Sequence, residues 1–447
     1  MSVIAAYCLE SDTVSYLPWC LASVFCLSVY SDAYPYGIPL FFPLAFLLFI
    51  WFGLVRKRLR VPVNTGVVLF LICLLFYCVG LLETGHIYRE NARDLQNSAG
   101  VMLMTPLLFS LDLREFRDFR SSAQTMGAAI SAVIAVVGLY KFHLMMQGVD
   151  IDLFWVEGRP YPWGTSLVID YNFFAFAMLI GALSSLFCLR RSSTVLGRVY
   201  YQLCFVLASI AMALSGSRRG WVTEGLFFLS LTILTIWSGL KSFARFHRSF
   251  ALSKQGLKTF AALLIVLTIG LCWQATYGQS AVIRDAGVSD EVQTLHQRFL
   301  TLTDPDQAFD ERTERWTYTA EVLSQSSLAQ LVFGQGFDYL SRFASVFQTR
   351  GGEDYPHNPI LSTALYSGVI GAFWALLLLI VAAVKFCKCL YLDSYFASIY
   401  FASLWFVIPS FNTLFSGKFL LLLLLIPWMV EFASRSIAHE TRLTSST

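Results

Sequence analysis

At 447 residues, 56% hydrophobic and only 14% charged, the chain carries too much apolar surface to fold around one aqueous-phase core. Apolar runs of about 20 residues recur from end to end, each long enough to cross about 30 Å of hydrocarbon as a helix, which makes this an integral membrane protein. The formal net charge of +3 gives no reason to expect nucleic acid as a partner; membrane lipids are the surroundings the composition implies.

In lipid each segment must satisfy its own backbone, so unbroken apolar runs read as helices rather than barrel strands. The runs predict an all-α polytopic protein of about twelve spans, at roughly 14–31, 36–55, 62–83, 97–113, 123–145, 166–188, 196–214, 222–240, 259–277, 361–384, 395–414 and 418–434. Met1 to Thr13 lacks a basic n-region and no small-residue cleavage site follows, so no cleavable signal peptide is expected. The ten cysteines lie in or beside apolar runs or near cytoplasmic ends, and none falls in the long polar loop, which argues against a disulfide framework.

Orientation follows from the short basic loops, since positive segments resist export. Arg56-Lys57-Arg58-Leu59-Arg60 follows the second predicted span, Arg114, Arg117 and Arg120 the fourth, and Arg190, Arg191 and Arg198 the sixth. Lys241 to Lys258 follows the eighth, and Lys385 and Lys388 the tenth. Every cluster follows an even-numbered span, so both termini are expected in the cytoplasm. The expected layout is spans one to nine in 1–278, a large external loop in 279–357, spans ten to twelve in 358–434, and a cytoplasmic tail in 435–447. Glu83 to Gln96 and Gln147 to Gly164 form two shorter external loops. Within the large loop, Glu314 to Phe333 reads as one amphipathic helix, with Trp316, Ala320, Leu323 and Leu331 roughly along one face. Gly334-Gln335-Gly336 then ends it.

The large loop holds Arg284, Arg298, Arg312, Arg315, Arg342 and Arg350 but no lysine. Arginine presents a rigid fork suited to phosphate oxygens, so a phosphate-bearing ligand is one reading; pairing with the loop's own acids, such as Asp304, Asp310 and Glu314, is the other. Ser215-Gly216-Ser217-Arg218-Arg219-Gly220 places two arginines at the outer surface against the positive-inside pattern, either as a functional pair or as snorkelling anchors. His357, where the loop meets the tenth span, offers an imidazole able to take a proton near neutral pH; an interfacial hydrogen-bonder is the plainer alternative. Asp304-Pro305-Asp306 resembles a metal-binding pair but reads better as a turn with helix-start acids, and no metal or cofactor is expected.

His357-Asn358, nine residues, then Gly368-Val369-Ile370-Gly371 resembles the histidine motif of bacterial lipopolysaccharide O-antigen ligases and their relatives. Ser217-Arg218 with Gly220 resembles that family's Ser-Arg element, Arg312-x-x-x-Trp316 its Arg/Trp element, and Gly334-x-Gly336-Phe337 its glycine pair; Gly158-Arg159 through Asn172, with Ala175, is a weaker match. The resemblance runs from about Gly158 to Gly371. It implies a GT-C-like glycosyltransferase of the bacterial inner membrane with a periplasmic active site. Such an enzyme joins a glycan from an undecaprenyl-diphosphate carrier to a lipid A-core acceptor by metal-independent inverting displacement. In that scheme His357 is the base, and Arg218, Arg312 and Arg159 are the main candidates to stabilise the diphosphate, with Arg219 and Arg315 beside them; Asn358, Gly368 and Gly371 complete the motif. Arg219 adds a second arginine where relatives usually carry a small or apolar residue, so whether it or Arg218 faces the ligand stays open. The superfamily also holds O-antigen and exopolysaccharide polymerases, which use a second lipid-linked glycan as acceptor. A flippase or transporter would also have about twelve spans, but predicts ionisable groups near mid-membrane and matched halves, which the sequence lacks.

Overall fold

The computed structural model describes residues 2–33, 40–56, 59, 63–147, 164–168, 170–225, 305–349, 352–389 and 393–445. They are helical, with no strand among them. Five helices are long and apolar enough to cross a membrane: Thr65–Thr84, Leu113–Leu144, Tyr171–Arg191, Val195–Ala213 and Pro359–Cys389. Shorter apolar helices occur at Tyr16–Tyr30, Phe41–Leu54 and Ser394–Ser410. The chain divides into two compact units, one comprising Met1–Ser31, Ile38–Met126 and Phe309–Thr447, the other Asp32–Gly37 and Gly127–Ala308. The ninth expected span, the eighth beyond residue 225 and the start of the large loop lie outside the described residues.

The first unit contains α1 (Ser2–Tyr30), α2 (Phe41–Arg56), α3 (Thr65–Thr84) and α4 (Arg89–Phe109). After the long α5 (Leu113–Met146), which starts in this unit and continues into the other, it resumes near the start of α8 (Pro305–Ser324). It then runs through α9 (Leu328–Phe333), α10 (Tyr339–Val346), α11 (Pro359–Cys389), α12 (Ser394–Phe406) and α13 (Lys418–Ser445). On α3 the exposed residues Val68, Leu71, Leu75, Val79 and Leu82 recur every three or four positions, a stripe fit for lipid. The opposite face, with Phe70, Cys73 and Tyr77, is buried, and α3 packs on α11 and α13. On α11 the same pattern of exposed apolar residues starts at Val369 and continues through Phe373, Leu376, Ile380 and Val384.

Three expectations need correction. The segment 83–96 is not a simple external loop, because α4 starts at Arg89 and carries eight of those residues in helix. Hydropathy misses this half because its polar side chains face protein. Tyr77 donates to Asp94 (3.2 Å), Asn91 donates to Tyr77 (3.0 Å), Thr413 donates to Asp94 (2.6 Å), and Asn97 donates to the Phe415 carbonyl (3.1 Å). Buried polar groups satisfied in this way hold helices together without an apolar signature. Likewise, 314–333 is not one helix. α8 starts at Pro305 and stops at Ser324, and α9 starts afresh behind Ser327, which forms a capping box with Gln330. α12 stops at Phe406, short of the expected 414, as Pro409 approaches.

In the second unit α6 (Tyr171–Arg191) and α7 (Val195–Ala213) pack closely, with Ala182, Phe205 and Ala208 at their contact. Asp170 caps α6 and Thr194 caps α7.

Candidate active site

In the first unit the site is built on the approach to α11. Asn358 caps that helix, its Oδ1 accepting from the N–H groups of Ile360 (3.0 Å) and Leu361 (3.3 Å), and Pro359 takes the first helical position. The turn into the cap puts His357 at φ 53, a left-handed conformation that non-glycine residues seldom adopt. Such a residue persists only where its surroundings fix it. Here Trp316 of α8 donates its indole N–H to the Pro356 carbonyl (2.9 Å), and the Tyr355 ring lies 4.4 Å from the imidazole.

Asp354 is the hub of this cluster. Its side chain is only 5% exposed. One carboxylate oxygen accepts from Arg315 Nη2 (2.9 Å), Arg315 Nε (3.2 Å) and the Thr349 hydroxyl (2.7 Å). The other accepts from the Tyr355 N–H (2.8 Å) and lies 3.7 Å from His357 Nε2. Arg315 also lies over the Phe347 ring, 4.6 Å from its centroid. Glu353, next in sequence, accepts the N–H groups of Arg89 (3.1 Å) and Glu90 (3.3 Å), tying this turn to the start of α4.

The imidazole pKa is lowered from 6.5 to about 4. Burial is the main cause; the charges of Arg315 and Arg312 act the same way, while Asp354 and the Ser410 backbone oppose them. The ring is therefore neutral at pH 7, with a carboxylate close enough to favour a proton that arrives.

The glycines of the resemblance interlock two helices. Gly368 (φ 69, ψ −175) breaks α11 in a region essentially reserved for glycine, and a Cβ there would fall 2.2 Å from the Val332 carbonyl oxygen. Gly334 (φ 100) ends α9, and a Cβ on it would meet the Tyr366 carbonyl at 2.4 Å. The Leu365 carbonyl, near the break, accepts from the Gln335 N–H (2.8 Å). Gly371 packs against Ser367 within α11.

The second unit holds the other group. Ser217 is fully buried; its hydroxyl donates to Asn172 Oδ1 (2.9 Å) and accepts from the Gly220 N–H (3.0 Å). Residues 218–225 are helical, so Arg218 and Arg219, both half-buried, stand at a helix start. A Cβ on Gly220 would press on Ala175 at 3.3 Å. The weakly matching Asn172 and Ala175 are thus direct neighbours of the Ser-Arg element. Arg159, Arg284, Arg298 and Arg350 lie outside the described residues.

The structure therefore gathers Arg312, Arg315, Trp316, His357 and Asn358 in one unit and Asn172, Ser217, Arg218 and Arg219 in the other. Sequence reasoning passed over Asp354; the available signal was an acid three residues ahead of the candidate base. Residues 203–384 match a protein family described as O-Antigen ligase, a segment that contains every element of the resemblance except Gly158 to Ala175. No curated protein and no solved structure matches the chain.

Proposed function

We propose that the chain, whose residues 203–384 match the O-antigen ligase family, transfers a glycan from undecaprenyl diphosphate to a lipid A-core sugar at the periplasmic face of the inner membrane. In this reading about twelve spans enclose the site, with 279–357 as the periplasmic loop, both termini cytoplasmic and 435–447 as the tail. The observation that carries the proposal is the cluster at the head of α11: a neutral, strained His357 beside the buried Asp354, under the charges of Arg312 and Arg315.

The chemistry follows from those groups. The acceptor hydroxyl oxygen bonds to the anomeric carbon as the bond from that carbon to the diphosphate oxygen breaks, its electron pair leaving on the diphosphate. The hydroxyl proton passes to the unprotonated nitrogen of His357. Asp354 does not touch substrate; it stabilises the imidazolium as it forms and holds the turn. Attack opposite the leaving group inverts the anomeric centre, with no covalent intermediate.

Negative charge builds on the diphosphate, and fixed guanidinium groups stabilise that state more than the ground state. Arg312 serves here, its charge close enough to bear on His357, while Arg315 pairs with Asp354 and lies over Phe347. Arg218 and Arg219 add a second set of donors at a helix start, where backbone N–H groups also favour anions; Arg159 completes the set. A diphosphate against Arg312 offsets a charge that depresses the His357 pKa, so donor binding raises the basicity of the imidazole.

The test is a transfer assay with purified protein, labelled carrier-linked glycan, and either lipid A-core or a second carrier-linked glycan as acceptor. Product on lipid A-core supports the ligase reading. Elongation of the carrier-linked glycan alone replaces it with a polymerase, and no transfer to either acceptor overturns the proposal.

A further inference from the structure

The two faces of α8 differ in chemistry. Arg312, Arg315, Trp316 and Thr319 share the side that meets the His357 turn, whereas Glu314, Thr317, Tyr318 and Glu321 recur on the opposite side at helical spacing. That opposite side and Phe347, at the end of α10, line an open cleft of about 370 Å³.

Its walls are suited to a sugar. The Tyr318 ring is fixed edge-on against Phe343 (4.9 Å) and Phe347 (5.8 Å). Aromatic faces carry negative charge density that attracts the C–H bonds of a pyranose ring. Glu314 and Glu321 are exposed carboxylates able to accept charge-assisted hydrogen bonds from sugar hydroxyls, and Thr317 can donate or accept. Among the described residues no lysine or arginine lines the cleft, and the two carboxylates repel phosphate. The lining thus excludes the diphosphate end of a donor and accepts a neutral or amino sugar. Phe347 is shared: one neighbour is Tyr318 of the cleft, the other the Arg315 guanidinium that pairs with Asp354.

We infer that this cleft is a sugar subsite, holding one neutral or amino sugar of the glycan away from the bond being formed. The inference rests on the glycan-transfer reading above. It adds a footprint for the glycan beyond its reacting sugar, on the far side of the helix that carries Arg312.

The test uses full-length protein in nanodiscs and, as probe, the diphosphate-free polysaccharide released by mild acid from the source bacterium, with inorganic pyrophosphate as control. Saturation-transfer NMR should show binding to the unsubstituted protein. Tyr318→Ala, and separately Glu314→Gln combined with Glu321→Gln, should each weaken binding about tenfold while pyrophosphate binding is unchanged. The glutamine variants alter only exposed side chains, so they report even if Tyr318→Ala does not fold. Absence of polysaccharide binding to the unsubstituted protein, or equal binding by the glutamine variants, overturns the subsite. Neither result touches the transfer proposal, which stands or falls on product formation.

Discussion

Replacing Asp354 with Asn tests the electrostatics of the site in a single side chain. The amide keeps the shape but removes the charge facing Arg315 at 2.9 Å and His357 at 3.7 Å. The pair is well shielded, at 14% and 5% side-chain exposure, so leaving Arg315 without its carboxylate should cost about 2–3 kcal/mol of stability. This is below the roughly 3–5 kcal/mol typical of a broken buried pair because Arg315 keeps its contact with Phe347. For catalysis, the separation of 3.7 Å is longer than a hydrogen bond, so kcat should fall by about 10- to 100-fold with little change in KM. A purely structural role would lower the amount of active protein but leave the pH profile alone. A catalytic role would move it. The Asp354 charge raises the His357 pKa, so its removal should shift the acid limb of kcat/KM to lower pH while the plateau falls. Initial rates from about pH 3 to 8, normalised to folded protein, read both effects. An unchanged acid limb with an unchanged plateau would refute the coupling of Asp354 to the base.

Other substitutions probe separate parts of the account. Gly368→Ala places a Cβ 2.2 Å from the Val332 carbonyl at a φ of 69, and should cost about 3 kcal/mol or more, whereas Gly371→Ala, at an ordinary helical φ, meets the Ser367 side chain rather than another segment's backbone and should cost less; melting of the two in detergent gives the order. His357 binds its proton at about 4 in the folded chain and near 6.5 when unfolded, so stability should fall as pH drops through that window, and His357→Gln should flatten the dependence in melts between pH 7 and 4. Arg312→Lys and Arg218→Lys keep charge but lose the fork, and each should lower kcat/KM by about tenfold or more; full tolerance of both would remove the bidentate phosphate argument.

The parts of the fold that face lipid were legible in the sequence, because a uniform solvent imposes a uniform pattern. The stripes of α3 and α11 are read directly from hydropathy. The start of α4 was not, since Asn91, Asp94 and Asn97 look like loop residues until their partners are known: Tyr77 on the preceding helix, and Thr413 and Phe415 far off in the chain. The interruption between α8 and α9 did have a local sign, the Ser327–Gln330 capping box, which the amphipathic pattern overrode. At the site, residue types were visible but roles were divided by packing. Arg312 and Arg315 are equivalent as letters, and it is packing that sets Arg315 against Asp354 and Phe347. The spaced glycines were visible as a pattern, but their purpose, a break in α11 locked by α9, depends on a backbone contact between residues 332 and 368.

The central claim is that His357 removes the acceptor proton. Transfer of labelled glycan by purified His357→Ala protein, checked for insertion and folding by its melting transition, addresses it directly. The account predicts that kcat falls by at least about 100-fold while carrier-linked donor still binds. Transfer at close to the unsubstituted rate by well-folded His357→Ala protein would contradict it.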